Sequence, residues 1–414
     1  MSVNTHDYVV VGGGSAGCIV AAELAESGRR VLLLEAGPSA EAHPETLRAD
    51  GYKDAFINDA VICERFSVPQ RRAGNRRVFM GSGSVLGGSG SVNGMVYTRG
   101  AREDYAEWPV GWRWDDIVPA FESLEKRLRI HRREPTRWTE ACIAAAENCG
   151  FERRDDLNDG HLYNTIGYEW MSYDGANRRS SYVAFIRDAG VRDNLEVHTG
   201  ARVERIEFDE ERRARSVVYL HDGVPKTAQV RGEVVLCAGA LETPKLLMLS
   251  GVGPGAELAG HGIDVVADRA ELGENLHDHP NVPVFFRCRE LVDCRYPQLY
   301  SFFRTHPDTP LPPRQSDTCY VFWPAPSAMK EAVQRMLPTQ VLPESLYDGP
   351  AKHWIRAGVE LAFKSKLVRA QVDHLYAVVV ILGKPQSRGT LRLRDRSSAL
   401  IDPRYFEHPQ DLET

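Results

Sequence analysis

Residues 7–37, DYVVVGGGSAGCIVAAELAESGRRVLLLEAG, limit what this chain can fold into more than any other stretch. Two apolar runs, residues 8–11 and Val31–Leu34, are typical of buried parallel strands. Between them we predict a helix from about residue 16 to 27, ended by Gly28. This order of strand, glycine turn, helix and strand predicts the first unit of a Rossmann-like α/β fold.

The glycines Gly12, Gly14 and Gly17 have the spacing of a dinucleotide-binding turn. Gly12 permits the tight turn, Gly14 lets the backbone approach a pyrophosphate, and Gly17 lets the helix pack closely. The helix N-terminus offers free N–H groups and a positive dipole to phosphates. Glu35, at the tip of the second strand, can accept hydrogen bonds from ribose hydroxyls. These features in this order predict a dinucleotide site.

Two other interpretations of the glycine turn stay open. The residues Gly13-Gly14-Ser15-Ala16-Gly17 also match the Gly-x-Ser-x-Gly elbow of serine hydrolases, with Ser15 as nucleophile. That elbow needs a later acid and histidine, but 57 acidic residues and 13 histidines make such partners uninformative. The elbow normally follows a strand deep in the sheet order, whereas here it follows the first strand, which disfavours a hydrolase. The other interpretation is a glycine turn without a ligand.

Composition narrows the class of protein. With 414 residues the chain exceeds one ordinary core, which suggests two domains or one large elaborated domain. A net charge of −6 provides no basic surface for nucleic acid. The eight cysteines contain no Cys-x-x-Cys pair and indicate buried free thiols. The start runs directly into the first strand, which leaves no room for a signal peptide, and no apolar run is long enough to span a membrane. We therefore expect a cytoplasmic protein.

A second informative stretch, residues 79–100, is rich in glycine and serine: FMGSGSVLGGSGSVNGMVYTRG. Such density indicates backbone that passes close to something flat or bulky. A disordered glycine–serine tract is the alternative, but the embedded Val85-Leu86 and Met95-Val96-Tyr97 argue against it.

Together these stretches resemble the glucose–methanol–choline (GMC) family of FAD-dependent oxidoreductases. Further family motifs follow in order at residues 239–253 (GALETPKLLMLSGVG), 275–280 (NLHDHP), 385–390 (PQSRGT) and 401–403 (IDP). The resemblance covers nearly the whole chain. It implies a Rossmann-like FAD-binding domain at residues 1–280 and a β-rich (α+β) substrate-binding region at 281–414.

The resemblance also implies positions for FAD. Ser15 and Ala16 would lie against the pyrophosphate, Glu35 and Ala36 at the adenosine ribose, and Val203 beside the adenine. A strand ending in Ala238 and Gly239 would return to the nucleotide site. The residues that would line the flavin are Val85, Gly88, Asn93, Gly94, Met95 and Val96. Some members carry a histidine in this stretch that bonds covalently to FAD, so Asn93 implies a non-covalent cofactor. Ser84 departs from the basic residue usual in the family.

The chemistry implied is oxidation of an alcohol, choline-dehydrogenase-like in sequence. A histidine base removes the hydroxyl proton, hydride passes to flavin N5, and an acceptor such as oxygen or a quinone takes the electrons. In the family this histidine follows the region equivalent to residues 402–406. The sequence ends at Thr414 and His408 does not match the motif, so we expect the catalytic segment to be missing and turnover to be impaired.

Three hypotheses follow for function. The first is a GMC dehydrogenase or oxidase, the second a non-catalytic FAD-binding fragment of one, and the third a serine hydrolase. Non-alcohol GMC chemistry, such as hydroxynitrile cleavage or photodecarboxylation, also stays open. His277 and His279 could face a metal from an extended segment, but no further ligands accompany them and we predict no metal.

Overall fold

The computed structural model describes residues 5–190, 192–308 and 311–414. They form two compact units, each assembled from three segments of the chain. The first unit comprises Met1–Asn93, Ala176–His277 and Arg388–Arg404, and the second comprises Gly94–Gly175, Asp278–Ser387 and Tyr405–Thr414. The sequence analysis placed a single boundary near residue 280, and the functional assignment of those two spans stays a prediction. The expectation about a signal peptide concerns residues 1–4 in part, which lie outside the described residues.

The first unit is built on a six-stranded sheet. Its strands, in spatial order, are Leu195–His198, Val31–Leu34, Thr5–Val11, Val224–Leu236, Ala214–His221 and Ala201–Phe208. The first four are parallel and the last two extend the sheet as antiparallel strands. The predicted α/β class is therefore confirmed, and strands Ala201–Phe208 and Ala214–His221 pair as an antiparallel hairpin.

Helices cover both faces of this sheet. Helix Ser15–Glu26 buries a row of small side chains, which lets it approach one face closely: Cys18, Ala21, Ala22 and Ala25. Helix Gly239–Leu249 packs Leu246 against the opposite face, beside Val9 and Leu34. Alternate residues of the central strands thus enter opposite cores, as expected for a strand buried on both sides.

Two predicted boundaries need correction. The helix after the glycine turn spans Ser15–Glu26, so it begins and ends one residue earlier than expected, and Gly28 follows it at φ +83°. The strand predicted to run to Gly239 ends at Leu236 instead. Gly239 has φ +85°, a left-handed conformation that is incompatible with a strand, and it begins the following helix.

The remaining elements of the first unit are short. Its helical turns are Ala40–Ala42, Pro44–Thr46, Tyr52–Ile57, Arg71–Ala73, Gly88–Ser91, Val183–Arg187 and Gly255–Gly260. Its short strands are Ile62–Cys63, Ser82–Gly83, Asn177–Arg178, Val252–Gly253, Ala267–Asp268, Thr390–Leu393 and Ala399–Asp402.

The second unit contains a mostly antiparallel six-stranded sheet. Its strands, in spatial order, are Asn281–Arg287, Leu375–Leu382, Thr318–Pro324, Leu299–Phe303, Thr165–Tyr168 and Glu152–Arg154, with only the last pair parallel. Helix Arg137–Asn148 packs on one face, where Ile143 contacts Ile166 and Leu299. The sheet and its accompanying helices agree with the α+β class predicted for residues 281–414.

The other elements of the second unit surround that sheet. Its helices are Arg102–Tyr105, Trp114–Leu128, Ala325–Val341, Glu344–Tyr347, Pro350–Lys364, Lys366–Val372 and Pro409–Glu413. A smaller sheet contains Val96–Tyr97, Ile130–His131 and Trp170–Asp174. In the part of the chain that is described, no helix combines the length and apolarity needed to cross a membrane.

Candidate functional site

The glycine turn joins the first strand to its helix at the carboxyl edge of the central sheet. The N–H of Gly12 donates to the carbonyl oxygen of Leu34 over 2.8 Å, and Gly12 has φ +98°. A Cβ on Gly12 would lie 2.5 Å from the carbonyl oxygen of Cys237. Only glycine fits there, because the turn is wedged between the two neighbouring strands.

Gly17 and Gly14 have opposite surroundings. A Cβ on Gly17 would lie 1.9 Å from the carbonyl oxygen of Gly12, so the helix begins in direct contact with the turn. A Cβ on Gly14 would meet nothing nearer than the Cα of Gly88 at 3.9 Å. The next residues, Ser15 and Ala16, are exposed. An anion placed there would find the unsatisfied N–H groups of the first helical turn.

Glu35 is buried at the tip of the second strand, with 7% of its surface exposed. Its Oε2 accepts from the N–H of Gly13 over 2.8 Å and its Oε1 accepts from the N–H of Gly37 over 2.7 Å. Burial raises the pKa of Glu35, and these two N–H donors oppose that effect. A carboxylate has about four lone-pair sites, so it can still accept from a ribose hydroxyl. Ala36 beside it is exposed.

The glycine–serine stretch lies against the same turn. The N–H of Gly87 donates to the carbonyl oxygen of Gly13 over 2.7 Å. A Cβ on Gly88, which has φ +56°, would lie 2.6 Å from the Cα of Gly14. Val85 is fully buried in the core, with 0% of its surface exposed, and its predicted contact with the flavin stays a prediction. The structure thus brings two sequence-predicted stretches together.

The later residues of that stretch divide between the units. Asn93 is exposed and its Oδ1 accepts from Nη1 of Arg178 over 2.8 Å. Gly94, Met95 and Val96 belong to the second unit. Met95 has φ +65°, a strained conformation for a side chain of this size. That these three residues line a flavin stays a prediction.

The remaining predicted positions surround the edge of the sheet. Val203 lies in strand Ala201–Phe208 and packs against the core. That strand is tied to the site because the N–H of Ala201 donates to the carbonyl oxygen of Glu35 over 2.8 Å. Ala238 and Gly239 follow Leu236, and a Cβ on Gly239 would have nothing within 4 Å. Their predicted roles toward a nucleotide stay predictions.

Ser15 lacks the strained backbone of a nucleophile elbow, because it is the first residue of a helix. Among the described residues, no group of three or more histidine, cysteine, aspartate or glutamate side chains could hold a metal ion. His277 is exposed, and one of its ring nitrogens contacts the carbonyl oxygen of Asn275.

Sequence reasoning missed the roles of Gly13 and Gly37 as donors to Glu35. A Cβ on Gly13 would lie 2.8 Å from Leu86 Cδ1, and one on Gly37 would lie 2.1 Å from the carbonyl oxygen of Ser84. The signal was available, since glycines before and after an acidic strand tip allow backbone to close around the carboxylate. Arg178 was also missed as a contributor, because nothing local marks it as buried.

Comparisons with known proteins agree on one family. A family model described as GMC oxidoreductase matches residues 6–281. An oxygen-dependent choline dehydrogenase of Burkholderia cenocepacia (strain HI2424) is 35% identical over 333 residues, covering 72% of this chain and 56% of that protein. An alcohol dehydrogenase (acceptor) of Pseudomonas putida is 33% identical over 299 residues, covering 67% and 54%. This chain therefore spans little more than half the length of these curated relatives.

Among solved structures, the pyridoxine 4-oxidase of Mesorbium loti has a TM-score of 0.80 at 24% identity. The match covers 98% of this chain and 77% of the other. At this identity the likeness shows a shared fold.

Proposed function

The chain belongs to the GMC oxidoreductase family, and on that basis we propose that its first unit binds FAD for oxidation of the CH–OH group of an alcohol. The relatives oxidise choline or another alcohol according to their names, which supports a small-molecule alcohol as substrate. Because this family is one of oxidoreductases, the comparisons give no support to a serine hydrolase.

The observation that carries the proposal is the open space at Gly14. A Cβ there would meet no atom within 3.8 Å, although every neighbouring glycine contact in the turn is tight. Exposed Ser15 and Ala16 begin a helix at this point, and Glu35 closes the edge of the sheet nearby. The helix N-terminus would neutralise part of a diphosphate, and Glu35 would accept from a ribose hydroxyl.

We further propose that FAD is held without a covalent bond. Some family members carry in the glycine–serine stretch a histidine that bonds to the cofactor, whereas this chain has Asn93 in that stretch, and an amide is not a nucleophile. When bound, FAD supplies a hydride acceptor at its N5 atom. Among the described residues we assign none as the base that takes the hydroxyl proton. Weak alcohol turnover by these 414 residues is therefore part of the proposal, with a non-catalytic FAD-binding role as the alternative.

The first test is the visible spectrum of the purified, desalted 414-residue protein. We expect flavin absorption bands, and we expect acid precipitation to release the yellow cofactor into the supernatant because it is not bonded to the protein. A colourless protein that stays colourless after incubation with FAD would contradict the proposal.

A glycine substitution tests where the cofactor binds. We expect Gly14→Val to fold normally and to lose FAD, because the added side chain fills the space at the helix N-terminus. The control is Gly260→Val, at an exposed glycine of the same unit where a Cβ has nothing within 4 Å. A flavin-loaded Gly14→Val protein would refute the location of the cofactor.

Anaerobic addition of alcohols separates the two functional alternatives. Bleaching of bound flavin by choline or another alcohol would support catalysis by this chain. Flavin that dithionite reduces and alcohols do not would support the non-catalytic role.

The proposed location is the cytoplasm. All eight cysteines are free thiols in the structure, which fits a reducing compartment. Labelling of the cysteines in freshly lysed cells should find them reduced.

A further inference from the structure

Arg178 is a fully buried guanidinium in the first unit, with 0% of its surface exposed. Its Nη1 donates to the carbonyl oxygen of Gly90 over 3.0 Å and to Oδ1 of Asn93 over 2.8 Å. Its Nη2 donates to the carbonyl oxygen of Asn93 over 2.6 Å. All three acceptors are neutral, so the hydrogen bonds do not cancel the charge.

The next residue provides a direct contrast. Arg179 is almost as buried, with 6% of its surface exposed, but it forms an ion pair with Asp188. Among the described residues, no carboxylate forms an ion pair with Arg178. Burial lowers the pKa of Arg178 to about 9, so it remains largely protonated at neutral pH.

A buried cation without a counter-charge is costly, and proteins usually pair such a group. Here one acceptor of Arg178, Gly90, lies beside Ser15 at the N-terminus of helix Ser15–Glu26. A Cβ on Gly90 would lie 2.7 Å from Oγ of Ser15, and one on Gly88 would lie 2.6 Å from the Cα of Gly14. Only the backbone around Gly90 therefore separates the guanidinium of Arg178 from the N-terminus of helix Ser15–Glu26.

We propose that Arg178 is a positioning residue whose uncompensated positive charge increases the affinity of the site for the phosphate groups of the dinucleotide. Its three hydrogen bonds hold the glycine stretch against the turn, and its charge acts through that stretch on the diphosphate. The inference rests on the proposed function. It goes further because it identifies the phosphate groups of the ligand as the counter-charge of Arg178.

The test compares ADP with adenosine binding to the 414-residue apoprotein by isothermal titration calorimetry. Both ligands use the ribose contact at Glu35, but only ADP carries phosphates. At a separation of one peptide layer and an intermediate dielectric, loss of one charge should weaken ADP binding on the order of tenfold. Adenosine binding should change by less than about twofold, because a neutral ligand feels little of a single charge.

Two substitutions remove the net charge in different ways. Arg178→Gln deletes the cation, while Asn93→Asp keeps the Oδ1 acceptor and places a carboxylate against the guanidinium. We expect both to weaken ADP binding and to spare adenosine. Arg178→Lys keeps the charge and should retain most of the preference for ADP. Arg179→Gln is the matched control, because that cation is already paired with Asp188.

The outcomes separate the inference from the proposed function. Equal losses of affinity for ADP and adenosine would mean that Arg178 only supports the fold. Unchanged ADP binding by Asn93→Asp would mean that the charge of Arg178 does not affect the ligand. Either result overturns the inference. If Arg178→Gln does not fold, Asn93→Asp still decides the question. Binding of neither FAD nor ADP by the unsubstituted protein would overturn the proposed function and the inference together.

Discussion

Two buried glutamates, one in each unit, each follow a short strand whose four residues are all buried. Glu35 directly follows the fully buried strand Val31–Leu34, and Glu169 directly follows the fully buried strand Thr165–Tyr168. Both oxygens of Glu35 accept from backbone N–H groups. Among the described residues, neither oxygen of Glu169 has a hydrogen-bond partner. The same local pattern therefore produces a satisfied carboxylate in one unit and an isolated one in the other.

The difference lies in what surrounds each strand tip. Gly13 and Gly37 bring backbone close to Glu35 because neither has a side chain in the way. Glu169 instead lies near the buried phenol of Tyr300 and thiol of Cys319, whose pKa values it helps to raise. Burial, with a smaller contribution from Asp156, raises the pKa of Glu169 itself well above its usual range. In the part of the chain that the structure describes, the two buried carboxyl groups thus differ because backbone N–H donors surround only Glu35.

The largest effects should be the same in the two strands. Leu33→Ala and Ile166→Ala each remove a fully buried side chain, and each should lower the free energy of unfolding by about 2–5 kcal/mol. Urea unfolding with hydrogen exchange resolved for each sheet would measure this. A large loss of stability in one unit and none in the other would show that the two strands differ in their contribution to stability. Differences between Glu35 and Glu169 could then no longer be assigned to the carboxyl groups alone.

Glu35→Gln should destabilise the first unit. Glutamine keeps one acceptor oxygen, but its NH₂ group would face the second N–H donor, leaving a buried donor unsatisfied at a cost of about 1–3 kcal/mol. Hydrogen exchange in strand Val31–Leu34 should accelerate accordingly. A variant as stable as the parent would show that the two N–H bonds contribute nothing to stability.

Glu169→Gln should stabilise the protein at high pH, whereas Glu35→Gln destabilises it. The native pKa of Glu169 is raised, so its contribution to stability is complete below the unfolded value of 4.5 and is lost as pH rises through the native pKa. The substitution removes that loss and should raise the free energy of unfolding by about 1–2 kcal/mol at pH 8, with no gain near pH 4. Unfolding measured from pH 4 to 9 checks this. A parallel decline in both proteins would contradict the assignment of the pH dependence to Glu169.

The smallest effect should come from Asp156→Asn. The amide keeps the Oδ1 acceptor for Trp170 Nε1 and removes only the negative charge. Because burial is the larger cause, the midpoint of the pH dependence should move down by less than about one unit. The exposed Asp155→Asn provides a control that should leave the midpoint in place. If Asp156→Asn lowered the midpoint by more than about one unit, Asp156 and not burial would be the main cause of the raised pKa of Glu169.

The sequence predicted the glycine turn and its flanking elements because their determinants are local. Apolar runs of strand length, a helix rich in small residues and glycines at fixed spacing required no knowledge of the rest of the chain. It could not predict that Arg178 would be buried against Gly90 and Asn93, because that contact joins residues about 85 positions apart. Nor could it predict that, among the described residues, backbone N–H groups satisfy both oxygens of Glu35 and neither oxygen of Glu169, since the donors to Glu35 come from residues outside its strand. Only the glycines on either side of Glu35 carried a clue.

The interleaved segments of the first unit have a consequence for biosynthesis. Strand Thr5–Val11 pairs with Val31–Leu34 on one side and with Val224–Leu236 on the other, so the glycine turn that follows it lacks one supporting strand until Val224–Leu236 has been synthesised. At about 5–20 residues per second, that wait lasts roughly 10–45 seconds. During this interval the apolar strand Val31–Leu34, which is fully buried in the folded protein, also lacks part of its final packing. The N-terminal strand Thr5–Val11 therefore cannot complete its pairing until the middle of the chain has been synthesised.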